Sequence, residues 1–481
     1  MTAGLLDARA LAAAVRRGEL SPTEVVQDAL ARAQRLGPTV GAFAHLTPDL
    51  ARAEAAEVAA RVSAVPADEL AATAPLLGVP CPIKDLNPVR GVPFEAGSAV
   101  LAGNVGPVDD GSVRLLRAAG TVMLGKTTTP EFGFPCYTEP DTAAPARTPW
   151  DLRRSAGGSS GGAAAAVAAG IVPIAHGSDG GGSIRIPASV CGLVGLKPSR
   201  GRVSPGPHGV DGPGLTTQGV LTRTVRDTAV GLDVLRRPWP GDGYLLPGPR
   251  STYLDACEHP PRGLRVGVLT TPVNIEAEVH PACLRAVERT TALLRALGHE
   301  VVKAPVPYAA ERWAAFRAIW STLALGLPVP PEREHLLTPL TRWLREEART
   351  VDGLTYARAV TEAQLLTRAA AQAWSGLDVI VTPTLAQPPA LVGQLRDDAD
   401  PAGDFDAQTR YTPWTSVWNI IGAPAISLPL HEEEHDGALL PFGVQLGATR
   451  LGDEEMLLGL SAQVEEADPW RLLAPDSAAL G

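Results

Sequence analysis

Lysine and cysteine are both scarce in this sequence of 481 residues. The five cysteines are odd in number and widely spaced and form no Cys-x-x-Cys pair, which argues against a disulfide framework and a zinc site. We therefore expect reduced cysteines and a cytoplasmic protein. The basic residues are almost all arginine, and the only lysines are Lys84, Lys126, Lys197 and Lys303. Each lysine is thus less easily explained as an ordinary solvent-exposed cation. A buried lysine, unlike arginine, can also lose its proton.

Long apolar runs and excess positive charge are also missing. No apolar run of about 18 residues and no basic-then-apolar N-terminal region occurs, so the sequence predicts neither a membrane span nor a signal peptide. The net charge of −10 argues against nucleic acid and anionic membranes as partners. With 45% hydrophobic and 20% charged residues, the composition is that of an ordinary globular protein.

Glycine, by contrast, is abundant and clustered. Residues 157–162 and 180–182 are two glycine-rich turns, and each presents serine, Ser183 in the second case. Between them, the alanine-rich residues 163–169 predict a helix and residues 171–175 predict a short buried strand. Consecutive N–H groups in such a turn can bind an anion, and a serine hydroxyl beside them suits acyl transfer. A phosphate cradle and a purely structural turn remain open alternatives at this point.

Three segments, together with their order and spacing, closely resemble the motifs of the amidase signature family of hydrolases. They are GVPCPIKD at residues 78–85, GGSSGG at residues 157–162 and GSDGGGSIRIPASVCGLVGLKP at residues 177–198. The resemblance extends over nearly the whole chain. It implies an α/β fold with a central mixed β-sheet covered on both faces by α-helices. It also implies one domain over residues 1–481, with the signature core at about 74–227 and a variable helical region at about 305–375.

The resemblance also implies a Ser–cis-Ser–Lys triad. The nucleophile falls on Ser183, the bridging serine on Ser159 and the lysine on Lys84. Free lysine has a pKa of ~10.4, so burial must lower the pKa of Lys84 if this residue is to act as a base. The alternative for Lys84 is a structural ion pair with Asp85 or another acid.

Further site residues follow from the same resemblance: four oxyanion donors, two residues that brace the nucleophile turn and two that bind substrate. In that order they are Gly180, Gly181, Gly182 and Ser183; Asp179 and Arg185; and Gly133 and Phe134.

Residues 120–127, GTVMLGKT, match the phosphate-binding loop pattern G-x-x-x-x-G-K-[ST]. That loop needs small flexible residues between its glycines and a helix beginning at the lysine. Residues 121–124 predict a strand instead, and Pro130 follows too soon after Lys126 for a helix. We therefore reject a nucleotide site here.

The sequence also contains residues that fit two other serine-hydrolase patterns, the nucleophile elbow and the Ser–His–Asp triad. Residues 157–161 match the G-x-S-x-G elbow, but the polar stretch before them does not predict the buried strand that an elbow needs. His176 and Asp179 lie close enough in sequence to Ser183 to suggest a Ser–His–Asp triad. We interpret His176 instead as a packed, hydrogen-bonded core residue. The aromatic residues Trp313, Phe316, Trp320 and Trp343 are interpreted mainly as core.

The expected activity is hydrolysis of a small-molecule carboxamide to an acid and ammonia or an amine, without metal or organic cofactor. The sequences of the motifs are most similar to those of the branch that includes cyclic aminohexanoate dimer hydrolases and bacterial amidases of broad specificity. A homodimer is possible. Three rivals remain: the glutaminase A subunit of an aminoacyl-tRNA amidotransferase, an esterase and a non-catalytic amide-binding homologue.

Overall fold

The computed structural model describes residues 6–475, so the predicted domain limits at 1 and 481 lie outside the described residues. The chain forms a mixed α/β structure of helices and short strands. The α-helices are α1 (Ala8–Arg16), α2 (Pro22–Val40), α3 (Pro48–Ala64), α4 (Ala67–Thr73), α5 (Gly111–Ala118), α6 (Gly161–Ala168), α7 (Arg185–Cys191), α8 (Val225–Leu235), α9 (Tyr253–Cys257), α10 (Pro281–Ala296), α11 (Ala314–Leu325), α12 (Pro339–Arg349), α13 (Gly353–Ala373), α14 (Pro401–Tyr411), α15 (Thr415–Ile421) and α16 (Glu454–Ala467). The strands are β1 (Phe43–Leu46), β2 (Ile83–Lys84), β3 (Gly125–Thr127), β4 (Ile174–Asp179), β5 (Val194–Lys197), β6 (Thr217–Thr222), β7 (Arg265–Val268), β8 (Glu300–Lys303), β9 (Val379–Pro383), β10 (Ala425–His435) and β11 (Ala438–Ala448).

Eight of these strands form one mixed sheet in the order β4-β6-β5-β10-β11-β9-β7-β8. The pairs from β4 to β9 are antiparallel, and β9, β7 and β8 run parallel. Strands β1, β3 and β2 form a separate small sheet. The strand that leads into the predicted nucleophile is therefore at one edge of the large sheet, and β8 is at the other.

Helices cover both faces of the large sheet, as the alternation of side chains along β11 indicates. Phe442 stacks on His280 at the start of α10. A Cβ on the next residue, Gly443, would lie 2.5 Å from Ser189 Oγ in α7. Consecutive residues point to opposite faces, so α7 and α10 lie on opposite sides of the sheet. The predicted fold class is confirmed.

Two predicted strands are displaced. The strand expected over residues 171–175 begins at Ile174 and continues to Asp179, because Pro173 has no N–H for the ladder. The strand expected over residues 121–124 is replaced by β3 at Gly125–Thr127, and Val122 forms only an isolated bridge with Pro80. These two predicted positions were wrong.

The alanine-rich helix predicted over residues 163–169 begins two residues early and ends one residue early. The alanine-rich helix starts at Gly161, and Gly170, with φ +71°, follows its end. Residues 305–375 contain α11, α12 and α13, so the expected helices are present in this segment. No helix within residues 6–475 is long and apolar enough to cross a membrane.

Candidate active site

Two glycine turns meet where β4 ends. After Asp179 the chain turns through three glycines to Ser183, and α7 begins two residues later. The other turn carries Ser159, which follows a cis peptide bond with Gly158. The N–H of Ser160 donates to the carbonyl of Ser183 at 3.2 Å, so the predicted nucleophile and bridging serine belong to adjacent backbone segments.

Lys84 is fully buried at the end of β2 and contacts Ser159, the predicted bridging serine. Its Nζ lies 2.8 Å from Ser159 Oγ, 3.0 Å from Ser178 Oγ and 3.3 Å from the Ser178 carbonyl oxygen. The acid next to it in sequence, Asp85, instead binds Lys126 Nζ at 2.6 Å. The structural ion pair considered for Lys84 with Asp85 is therefore not formed.

Burial changes the protonation of this lysine. It lowers the pKa of Lys84 from 10.5 to about 7, while the Asp179 carboxylate acts in the opposite direction. The cause is desolvation, which disfavours the ammonium form. A substantial fraction of Lys84 is consequently neutral near neutral pH, as a proton acceptor must be.

A second buried lysine provides a comparison. Burial also lowers the pKa of Lys197 to about 7. Its Nζ donates to the carbonyl of Pro198 at 2.7 Å, and this is its one side-chain hydrogen bond within the described chain. The two lysines thus share a similar pKa, and among the described residues only Lys84 reaches a serine hydroxyl.

The nucleophile turn is held by a buried ion pair. Arg185 donates to both carboxylate oxygens of Asp179 at 2.9 Å, and the same carboxylate accepts from the N–H groups of Gly182 and Ile184 at 2.8 and 3.2 Å. Burial would raise the pKa of Asp179, but Arg185 and Asn419 hold it well below its usual range. Asp179 and Arg185 thus occupy the bracing positions expected of them.

One of the four expected oxyanion donors is already engaged. The N–H of Gly182 is directed to Asp179, so the expectation that it serves an oxyanion was wrong for this structure. The N–H groups of Gly180, Gly181 and Ser183 have no acceptor within residues 6–475. Three donors therefore remain at the turn.

Ser183 is mostly buried, with 7% of its surface exposed. Its Oγ makes no hydrogen bond to Ser159 or to any other described residue. Catalytic hydrogen bonds in unliganded enzymes are often formed only in the complex with substrate. The Lys84–Ser159 half of the expected relay is present, and the Ser159–Ser183 half is not formed in this structure.

The predicted substrate-binding pair lies beside these serines. A Cβ on Gly133 would lie 3.1 Å from Ser159 Oγ, so this glycine leaves the hydroxyl open. Phe134 lines a narrow cleft together with Gly181 and Ser183, and the cavity volume of this cleft is about 50 Å³. The structure therefore brings Gly133 and Phe134 to the expected place.

The aromatic residues interpreted as core behave differently from one another. Phe316 and Trp320 are buried in the hydrophobic core, as interpreted, and together with Trp313 they also line the cleft. Trp343 packs on Phe405 and is absent from the lining. The signal available in the sequence was their spacing of three and four positions, which puts all three on one face of a helix.

Ser178 was also missed by the sequence analysis. It supplies two of the three oxygens around Lys84 Nζ, yet nothing in its sequence context separates it from any serine on a strand.

His176 does not act with these serines. It is fully buried, and its Nε2 lies 2.9 Å from Gln218 Oε1. Burial lowers its pKa to about 4, so the imidazole is neutral near neutral pH. It makes no hydrogen bond to Asp179 or Ser183 within the described chain, which leaves a Ser–His–Asp triad unassembled.

The other rejected patterns are also rejected by the structure. Lys126 lies on a strand and pairs with Asp85 rather than opening a helix. No regular strand leads into residues 157–161. All five cysteines are buried and free. Across residues 6–475, no group of three or more His, Cys, Asp or Glu side chains is arranged to hold a metal ion.

Comparisons with known proteins agree with this geometry. The Amidase family model matches residues 24–458. The 6-aminohexanoate-cyclic-dimer hydrolase of Paenarthrobacter ureafaciens is 37% identical over 489 aligned positions, which cover 96% of this chain and 95% of that protein.

Solved structures give the same result. The structure of a 6-aminohexanoate cyclic dimer hydrolase complexed with substrate superimposes with a TM-score of 0.86 at 32% identity, covering 99% of this chain and 100% of the other. A bacterial aryl acylamidase of the amidase signature family superimposes with a TM-score of 0.83 at 26% identity, covering 97% and 96%. This chain therefore belongs to the amidase signature family and is an amidase, an enzyme that acts on the carbon–nitrogen bonds of amides.

Proposed function

We propose that this protein hydrolyses carboxamides through an acyl-enzyme on Ser183, with Ser159 and Lys84 as a proton relay. The observation that carries the proposal is the 2.8 Å contact between Lys84 Nζ and Ser159 Oγ, made by a lysine whose pKa burial lowers to about 7. A serine hydroxyl is too weakly acidic to attack an amide unaided, so it needs a base of this kind.

In the acylation step, Ser183 Oγ forms a bond to the carbonyl carbon and the carbonyl π electrons move to oxygen. The proton of Ser183 passes to Ser159 Oγ, and the proton of Ser159 passes to Lys84 Nζ. A serine hydroxyl can both donate and accept, which qualifies Ser159 for the middle position. The hydrogen bond between Ser160 N–H and the Ser183 carbonyl keeps the two segments adjacent.

Ser178 orients the base. A neutral amine has two N–H bonds and one lone pair, arranged tetrahedrally. The Oγ and carbonyl oxygen of Ser178 lie 3.0 and 3.3 Å from Lys84 Nζ and can accept both N–H bonds. The lone pair then points to the third neighbour, Ser159 Oγ, from which the proton must come. Ser178 is thus a positioning residue in this proposal.

The oxyanion of the tetrahedral intermediate would be bound by the N–H groups of Gly180, Gly181 and Ser183. Removing one such donor in other enzymes costs roughly 2.7–4 kcal/mol. The engagement of Gly182 by Asp179 supports this set, because it fixes the turn that directs the other N–H groups.

When the intermediate collapses, the carbon–nitrogen bond breaks. The proton held by Lys84 returns through Ser159 to the leaving nitrogen, which departs as ammonia or an amine. Water then repeats the sequence: it loses a proton to Ser159, attacks the acyl carbon and releases the acid and Ser183 Oγ–H. The lysine is neutral again at the end, so no net proton is consumed by the protein.

The test is labelling by a serine-reactive fluorophosphonate, followed by peptide mapping, on the wild type, Lys84→Ala and Ser183→Ala. We expect the label on Ser183, strong loss of labelling in Lys84→Ala and no turnover by either variant. A label on Ser159 or Ser160 would favour the elbow mechanism. No label on folded protein, or an active Ser183→Ala, would contradict the proposal.

Hydrolysis of glutamine in preference to simple amides would favour the amidotransferase subunit. The homodimer stays a prediction.

A further inference from the structure

The cleft beside Ser183 has a continuous aromatic wall, by which we mean Trp313, Phe316 and Trp320. The rings of Trp313 and Phe316 are stacked with centroids 5.0 Å apart, and those of Phe316 and Trp320 with centroids 5.2 Å apart. Phe134 meets Trp320 edge-on at 5.4 Å. The wall follows from sequence spacing, since residues three and four apart share one face of a helix.

The aromatic wall is in contact with the turn that carries the oxyanion donors. A Cβ on Gly181 would lie 3.4 Å from Phe316 Cζ, and a Cβ on Gly180 would lie 3.2 Å from ring atoms of Trp320. Any carbonyl bound at this turn thus has aromatic rings next to its substituents. The edge of Phe316 faces this turn, because Trp313 and Trp320 already stack on its two faces. A flat group attached to the amide can meet that edge with its own face, which is the T-shaped arrangement that aromatic pairs favour.

Apart from Ser183, the hydroxyl and amide side chains that line the cleft are already hydrogen-bonded within the protein. Gln408 accepts from the N–H of Cys136 at 2.7 Å and donates through its amide to Asp404. Ser416 Oγ accepts from the indole N–H of Trp313 at 3.0 Å. A ligand therefore finds few free polar partners away from the catalytic serines, and its affinity must come mainly from apolar contact.

Charge is also missing from the lining. None of the residues that line the cleft carries an ionisable acid or base of the Asp, Glu, Lys, Arg or His type. A substrate bearing an ammonium or carboxylate group would lose its hydration without gaining an ion pair, which is unfavourable. A zwitterionic amino acid such as glutamine fits this cleft poorly.

We propose, on the basis of the hydrolase function proposed above, that the preferred amides carry an uncharged aromatic group that packs against the ring edges of the aromatic wall. The group is attached either to the acyl carbon or to the amide nitrogen, and the experiment separates the two. A single methylene in a hydrophobic pocket changes kcat/KM by roughly 10–200-fold, so a whole ring should exceed the lower limit.

The substrates are phenylacetamide, acetanilide, acetamide, the cyclic 6-aminohexanoate dimer, its linear zwitterionic form and glutamine. We expect kcat/KM for phenylacetamide or acetanilide to exceed that for acetamide by at least about tenfold. Preference for phenylacetamide assigns the wall to the acyl group, and preference for acetanilide assigns it to the amine. Both results support the inference.

Variants of the wall test the cause. Phe316→Leu is expected to lower the preference for the aromatic substrate over acetamide roughly fivefold or more. Trp343→Leu is the matched control, because Trp343 packs on Phe405 outside the cleft lining. It should leave the preference unchanged. Melting temperatures verify that both variants fold.

Several outcomes would overturn the inference while leaving the proposed function intact. Ser183 could be labelled and acetamide or the cyclic dimer hydrolysed faster than either aromatic amide, which would remove the aromatic requirement. Faster hydrolysis of glutamine or the zwitterionic dimer would remove the requirement for an uncharged group. An unlabelled Ser183 together with no hydrolysis of any amide would instead contradict the proposed function.

Discussion

The reactivity of Ser183 should rise with pH through the ionisation of Lys84. Lys84 accepts a proton only when it is neutral, and burial lowers its pKa from 10.5 to about 7. The sign follows directly: below about pH 7 the rate should fall tenfold for each unit of pH, and above it the rate should level off. His176 does not contribute in this range, because burial lowers its pKa to about 4.

The size of the effect follows from the same change in pKa. With a pKa of 10.5, roughly one lysine in 3,000 would be neutral at pH 7, whereas with a pKa of about 7 half are neutral. Burial therefore raises the neutral fraction of Lys84 at pH 7 roughly a thousandfold. The change in pKa means that the folded state disfavours the charged form by roughly 5 kcal/mol.

The assay is the second-order rate constant for fluorophosphonate labelling of Ser183 between about pH 5 and about pH 9. This reagent does not ionise in that range, so the profile reports the free enzyme. Lys84→Met should abolish labelling at every pH. Lys197→Met is the matched control, because Lys197 has a similarly lowered pKa but contacts no serine hydroxyl among the described residues.

A flat pH profile, or a profile whose midpoint persists in Lys84→Met, would refute the assignment of Lys84 as the base. If the midpoint is lost in Lys197→Met but kept in Lys84→Met, the titration belongs to Lys197. That result would also refute the assignment of Lys84 as the base.

Three further substitutions test other parts of the site. Ser178→Ala should lower kcat roughly tenfold, which is the contribution of one hydrogen bond, and should shift the midpoint of the pH profile. Ser178→Thr retains a hydroxyl and should restore both values. Equal kinetics in the two variants would show that the hydroxyl does not orient Lys84. Asp179→Asn should lower the free energy of unfolding by roughly 3–5 kcal/mol in urea titrations, because it leaves Arg185 buried without its charge partner. Gly182→Ala places a Cβ 2.6 Å from Thr415 Oγ1 at a φ of +134°, so we expect soluble protein whose Ser183 no longer reacts, and normal labelling would contradict this.

The residues of the proposed triad could be identified in the sequence because each lies in a local motif. Lys84, Ser159 and Ser183 stand in motifs with defined spacing, and the motifs also indicate the family and its α/β fold. Gly182 shows the limit of this reasoning. Whether a backbone N–H in a turn is free depends on where a side chain such as Asp179 directs its carboxylate, and the motif does not contain that direction.

Other features depend on contacts between distant parts of the chain. Ser178 reaches Lys84 only because β4 lies beside β2, with 94 positions between the two residues. The interpretation of Phe316 and Trp320 as core is confirmed by their burial, but helical spacing could not show that these rings also border the cleft. The start of β4 was missed although Pro173 offered a local reason for it.

The distribution of the lysines has a practical consequence for chemical modification. Lys84, Lys126 and Lys197 are buried, and Lys303 alone among the four lysines is exposed. Lys303 ends β8, at the edge of the large sheet opposite β4 and the serine turn. Among the side chains, an amine-directed reagent should thus attach a dye or a solid support at one point. An enzyme coupled through that point would be immobilised in one orientation rather than many.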